Sequence, residues 1–158
     1  MAFLRPSFIE EASAFIRGDG LWLRPPSMAD YEQWAYVRRI SRDHLVPFEP
    51  QWSIDELSRA AFRERVRLYQ RNRRDGLGYA FFIFRDEDRQ LIGAITFSNV
   101  RRGITQAASL GYWIGTPVAA TTRQHLLVHD DIVERLAAPL ARLEIHRFHR
   151  PHSGHAAS

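Results

Sequence analysis

Tyr79-Ala-Phe-Phe-Ile-Phe84, Leu91-Ile-Gly-Ala-Ile-Thr-Phe97 and Ser109-Leu-Gly-Tyr-Trp-Ile-Gly115 decide the fold of this chain. All three runs are short and apolar at successive positions, the pattern of strands covered on both faces of a sheet. Asp86-Glu-Asp-Arg89 lies between the first two, and Asn99-Val-Arg-Arg-Gly103 between the last two, as hairpin chemistry requires. Strands are therefore expected at 78–85, 90–98 and 107–114. The last ends in Gly-Tyr-Trp-Ile-Gly before Thr116 and Pro117, and reads as a strand leading into a ligand-binding loop.

Upstream, Ser53-Ile-Asp-Glu56 puts a hydroxyl and two acids at a helix start, where the dipole favours negative charge. The helix it opens would bury Ile54, Leu57, Ala61, Phe62, Val66 and Tyr69, cover its other side with arginines, and end at Gly76 and Gly78. Ser27-Met-Ala-Asp30 resembles a capping box, so a second amphipathic helix is expected from Ser27 to about Arg42, with Tyr31, Trp34, Val37 and Ile40 at helical spacing. Between these helices, His44 to Trp52 holds Pro47 and Pro50 and is expected as an ordered loop. Gly20 to Arg24 reads as a first strand, and residues 1–17 carry a weak helical pattern through Phe8, Ile9, Ala12 and Phe15. Downstream, 126–143 is helical in pattern with a kink at Pro139, and Glu144 to Phe148 is one more short strand. The expected organisation is an extension at 1–17, one domain at 18–148 and a disordered tail at 149–158. The fold class is α+β, a mixed, mostly antiparallel sheet with helices on both faces and an incomplete C-terminal part.

At 158 residues with 45% hydrophobic and 12% aromatic content, the chain can bury one core. It has no apolar run near the ~20 residues that cross a bilayer and no signal-peptide pattern, and a cytoplasmic protein is the simplest expectation. The absence of cysteine removes disulfide and thiolate chemistry. His146, His149, His152 and His155 recur every third residue without carboxylates, so no metal site is expected. The net charge is +4, and the pI of 10.1 reflects the use of arginine alone as the base. Six arginines between Arg63 and Arg74 read first as a solvated helix face, and RNA contact rests on this Arg-rich segment, 53–74.

Leu23-Arg-Pro-Pro26, Trp34 with Arg38 and Ser41, Leu45 to Trp52, Gly93 to Gly103 and Ser109 to Gly115 occur in this order. Over approximately 18–119 the series resembles the GNAT superfamily of N-acetyltransferases, and within it the Rim-type ribosomal-protein-alanine N-acetyltransferases. The resemblance implies acetyl-CoA as co-substrate, with its pantetheine arm bonded to backbone groups of Leu110, Tyr112, Trp113 and Ile114 as an added strand. It implies an acceptor that is a protein N-terminal amine, with a ribosomal protein as one candidate. Glu49 and Trp52 would lie at the acceptor entry, and Asn99 and Arg101 would approach from the turn before the third run. Side chains of Tyr112 and Trp113 read equally well as sheet packing and Glu49 as a solvent carboxylate, while Arg101 and Arg102 read first as turn charges.

Ser109 stands where many relatives carry glutamate, so a direct carboxylate base on that strand is missing. The pyrophosphate loop of the family needs glycines at a helix N-terminus. Here Arg123-Gln124 remains, and no glycine falls between Gly115 and Gly154. The sequence therefore reads as truncated or altered after Ala119. The alternative to an enzyme is a non-catalytic remnant with a peptide-binding groove, and an unpaired sheet edge leaves a dimer open.

Overall fold

The computed structural model describes residues 16–17, 20–102, 106–116 and 144–147. Six strands form one sheet in sequence order: β1 (Ile16–Arg17), β2 (Leu21–Arg24), β3 (Tyr79–Arg85), β4 (Leu91–Arg102), β5 (Gln106–Ile114) and β6 (Glu144–Arg147). Neighbours from β1 to β5 are antiparallel, and β6 is parallel to β5. The expected strands are all present. Ile16–Arg17, assigned above to a helical pattern, instead pairs with Leu23 and Trp22; a two-residue ladder has replaced the last turn. The helical expectations for residues 1–15 and 126–143, and the tail, lie outside the described residues.

Alternation along β3 divides the core. Phe82 and Phe84 point to one face with Trp34, Val37, Phe62 and Val66, while Phe81 and Ile83 point to the other with Leu23, Ile95 and Phe97. The helices α1 (Tyr31–Ile40) and α3 (Arg59–Asp75) both contribute to the first face. No described helix packs on the second face, whose residues are nonetheless buried.

A β-bulge lies between β3 and β4. Ile83 faces Gly93 and Phe84 faces Leu91, so Ile92 is an extra residue whose carbonyl faces β5. It accepts from the Gly115 N–H at 2.8 Å, holding β5 at its exit. Just beyond, the Thr116 N–H donates to Oγ of the fully buried Ser41 at 2.9 Å. The end of α1 and the end of β5 are thereby tied together.

Three expectations are corrected. First, the second long helix starts at Arg59 rather than Ser53, because Ser58 Oγ accepts from the Ala61 N–H at 3.0 Å and wins the cap. Ile54 is accordingly fully exposed rather than buried, and the Arg-rich helix is 59–75 rather than 53–74. Gly76 ends it at φ +70, the left-handed value glycine allows. Second, 44–52 is not wholly a loop: α2 (Arg42–Leu45) and a 3-10 turn at Val46–Phe48 fill its first half. Third, Asn99 to Arg102 continue β4 across a second bulge instead of turning. Asn99 absorbs it at φ +52, a left-handed value asparagine tolerates.

Candidate active site

The site is built around Arg38. It stands one turn after Trp34 on α1, so both side chains leave the same face of the helix, toward the sheet. A guanidinium that is only 5% exposed must find a counter-charge, because an isolated buried charge is prohibitively costly. Its partner is Glu49, in the segment after the 3-10 turn. Nη1 donates to Oε1 at 2.7 Å and Nη2 to Oε2 at 2.8 Å, a two-pronged pair with the strength and direction that planar guanidinium provides. Trp52 Nε1–H adds a third donor to Glu49 Oε2, also at 2.7 Å.

Aromatic rings enclose the cation. Arg38 Cζ lies 4.3 Å from the Trp52 ring centre, 5.2 Å from Trp113 and 5.9 Å from Trp34, so three elements share one charge. Its buried Nε–H has no hydrogen-bond partner among the described residues. Outward, Arg38 Nη2 is 3.8 Å from Glu56 Oε1, which also receives Arg65 Nη2 at 2.5 Å. Glu49, Arg38, Glu56 and Arg65 thus alternate in sign and cancel. For Arg65, burial acts to lower the pKa, and Tyr69, Glu56 and Glu49 together outweigh it and raise it.

This arrangement determines how the expected residues stand. Glu49 and Trp52 are neighbours, but the carboxylate already holds a guanidinium and an indole N–H rather than facing solvent alone. Trp113 packs on the Arg38 face and Tyr112 on the opposite face, as strand alternation dictates. Burial pushes the Tyr112 phenol above its ordinary value, so it keeps its proton through the neutral range. Asn99 Nδ2 reaches Ser109 Oγ at 3.5 Å across the second bulge, and Arg101 lies exposed beside them. Among the residues whose side chains are described, no carboxylate is hydrogen-bonded to Ser109. Ser109 and Trp113 are four residue steps apart on β5, roughly 13 Å of strand, so these form two clusters and not one. Arg123 and the segment expected to hold a pyrophosphate lie outside the described residues.

The backbone of β5 supplies the remaining feature. Among the described residues, pairing with β6 covers Ala107 with Glu144 to Leu110 with Arg147. Strand β5 continues through Gly111, Tyr112 and Trp113 to Ile114, held on its other side by β4. An extended, amide-bearing chain can add to a strand wherever one of its sides is left unpaired.

The sequence reading used Arg38 and Ser41 only as marks of the resemblance and Glu56 only as a helix-start acid, and placed none of them at the site. Arg38 had a signal: an arginine one helical turn after a core tryptophan, followed by an acid in an aromatic, proline-rich segment.

The acetyltransferase (GNAT) domain family matches residues 20–125. Among curated proteins, the chain is 27% identical over 99 residues to the probable N-acetyltransferase YjcK of Bacillus subtilis, covering 63% of this chain and 55% of that protein. It is 31% identical over 75 residues to the [ribosomal protein uS5]-alanine N-acetyltransferase of Escherichia coli, covering 48% of this chain and 39% of that protein. The chain thus spans about half or less of the length of these relatives. Among solved structures, Mycobacterium smegmatis RimJ in complex with CoA-disulfide superposes with a TM-score of 0.72 at 22% identity, covering 89% of this chain and 68% of that one. A ribosomal-protein-S5-alanine acetyltransferase from Vibrio fischeri gives 0.64 at 19% identity, covering 78% and 68%. At these identities the superpositions establish the fold.

Proposed function

The chain belongs to the acetyltransferase (GNAT) domain family, and from that membership we propose an acetyl-CoA-dependent N-acetyltransferase acting on the N-terminal amine of a protein. The observation that carries this reading is the stretch Gly111–Ile114 of β5, paired with β4 on one side and with no described residue on the other. The pantetheine arm carries two amides and adds along this edge, beginning at Leu110 and following Tyr112, Trp113 and Ile114. A ribosomal protein is the first acceptor to test, since a matched relative is a ribosomal-protein alanine N-acetyltransferase.

In the reaction, the acceptor nitrogen forms a bond to the acetyl carbon as the carbon–sulfur bond breaks. The amine proton leaves to a base or water, and the CoA thiolate takes up a proton. The residues of this chain contribute mostly by placement. Arg38 draws the Glu49–Trp52 segment against Trp113, so the wall of the acceptor entry and the cofactor strand move as one body. Ser109, with Asn99, can orient a water but cannot itself take a proton at neutral pH. Arg101 adds positive charge at the same bulge, and Arg123 is the remaining candidate for the pyrophosphate.

The test is incubation with acetyl-CoA and a short peptide beginning in alanine, followed by mass spectrometry, with calorimetric titration of acetyl-CoA in parallel. One acetyl group is expected on the α-amine and none on a peptide with a blocked N-terminus. No cofactor binding at millimolar acetyl-CoA would make the enzyme reading untenable and leave a non-catalytic acetyltransferase-like scaffold.

A further inference from the structure

We propose that the outward face of α3 is a docking surface for the phosphate backbone of RNA. The choice of RNA among polyanions rests on the reading above, in which a ribosomal protein is the first acceptor to test. The charge of this chain is concentrated in one element. Within Arg59–Asp75 there are seven arginines against two acids, a net +5, whereas the whole chain is +4. Everything outside this helix sums to about neutral, slightly acidic.

The arginines are also sorted by face. Phe62 and Val66 are buried against the sheet, and Arg65 is taken up by Glu56. Arg63, Arg67, Arg71 and Arg74 recur at steps of four, four and three, so they form one stripe on the opposite side, and all four are exposed. Over eleven residues the stripe spans about 16 Å. The acids beside it bind it weakly. Glu64 holds Arg67 at 2.7 Å with both side chains largely in water, and Asp75 lies 3.9 Å from Arg74. Exposed pairs of this kind contribute little and are readily exchanged for another anion. No described acid pairs with Arg63 or Arg71.

The chemistry selects phosphate. Guanidinium binds phosphate oxygens with two parallel N–H bonds, and four of them in a row match a regular line of such groups. A membrane surface is disfavoured because the apolar face of the helix is already buried in the core. An acidic protein would need charges spaced to the same stripe, and it is one arm of the test.

The experiment measures binding of the full chain to a fluorescent RNA duplex, to a DNA duplex of equal length and to polyglutamate, over a range of salt. If four phosphates are neutralised, the slope of log K against log salt is roughly −3.5, or about a hundred-fold loss between about 50 and 200 mM salt. A variant with Arg63, Arg67, Arg71 and Arg74 all changed to Gln should lose most of that slope while keeping its circular dichroism. Changing exposed Arg39 to Gln should alter it by at most about one unit. No RNA binding at low salt, a slope unchanged by the four-fold variant, or tighter binding to DNA or polyglutamate than to RNA overturns the proposal. Acetyl transfer to a free peptide is assayed on the same samples. Transfer without RNA binding overturns only the docking surface, and RNA binding without transfer overturns only the enzyme reading.

Discussion

Changing Arg38 to Met is expected to destabilise the fold by about 3–5 kcal/mol, the cost of removing one partner of a buried ion pair. The side chains of Arg38 and Glu49 are 5% and 21% exposed, so the abandoned carboxylate cannot simply return to water. Three rings lose their cation at the same time. Arg38 to Lys keeps the charge but cannot bond both Glu49 oxygens in one plane, and should cost on the order of 2 kcal/mol. The double change of Arg38 to Met with Glu49 to Leu should recover most of the loss, because it leaves no unpaired ion. Urea denaturation with an unchanged m-value measures all three. A loss below about 1 kcal/mol for Arg38 to Met would mean that the pair is not the clamp described, since that is the range of an exposed pair.

Changing Gly93 to Ala is the second large effect. A Cβ at this position would lie 2.3 Å from the Trp113 carbonyl oxygen and 2.8 Å from Ile114 Cδ1. The first of these is backbone and cannot swing away. Two terms compete. Alanine restricts the unfolded chain and would stabilise by about 0.4–1 kcal/mol where it fits. Overpacking costs about 1–3 kcal/mol, and a backbone collision belongs at the upper end. The net should be destabilisation of about 2 kcal/mol. Because the collision falls on the β4–β5 pairs Gly93–Ile114 and Ala94–Trp113, it also moves the strand proposed to take the cofactor. Calorimetry should show weaker acetyl-CoA binding in the fraction that remains folded. A variant as stable as the parent, with unchanged binding, would contradict the close strand approach.

How much of this was legible follows from the range of each interaction. The strands of the central sheet were readable because apolar runs and turn residues act over a few positions. The start of α3 was misread because Ser53 and Ser58 both offer a capping hydroxyl, and only the fold chooses between them; Ile54, fully exposed, was the casualty. The bulge at Ile92 left no mark beyond the adjacent glycine. At the site, the grouping of Glu49 with Trp52 was legible, but not that Arg38, eleven residues away, already occupies the carboxylate. A long-range pair of this kind has no spacing rule. Ser41, which fastens the end of β5, was silent for the same reason.

The central claim is that β5 beyond Leu110 takes the cofactor as an added strand. Hydrogen exchange of the backbone amides, with and without saturating acetyl-CoA, tests it most directly. Among Gly111, Trp113 and Ile114, the amides not bonded to β4 should exchange more slowly with cofactor bound, while Tyr79 to Arg85 in β3 should not change. Binding without added protection at Gly111–Ile114, or protection confined to other strands, would contradict it.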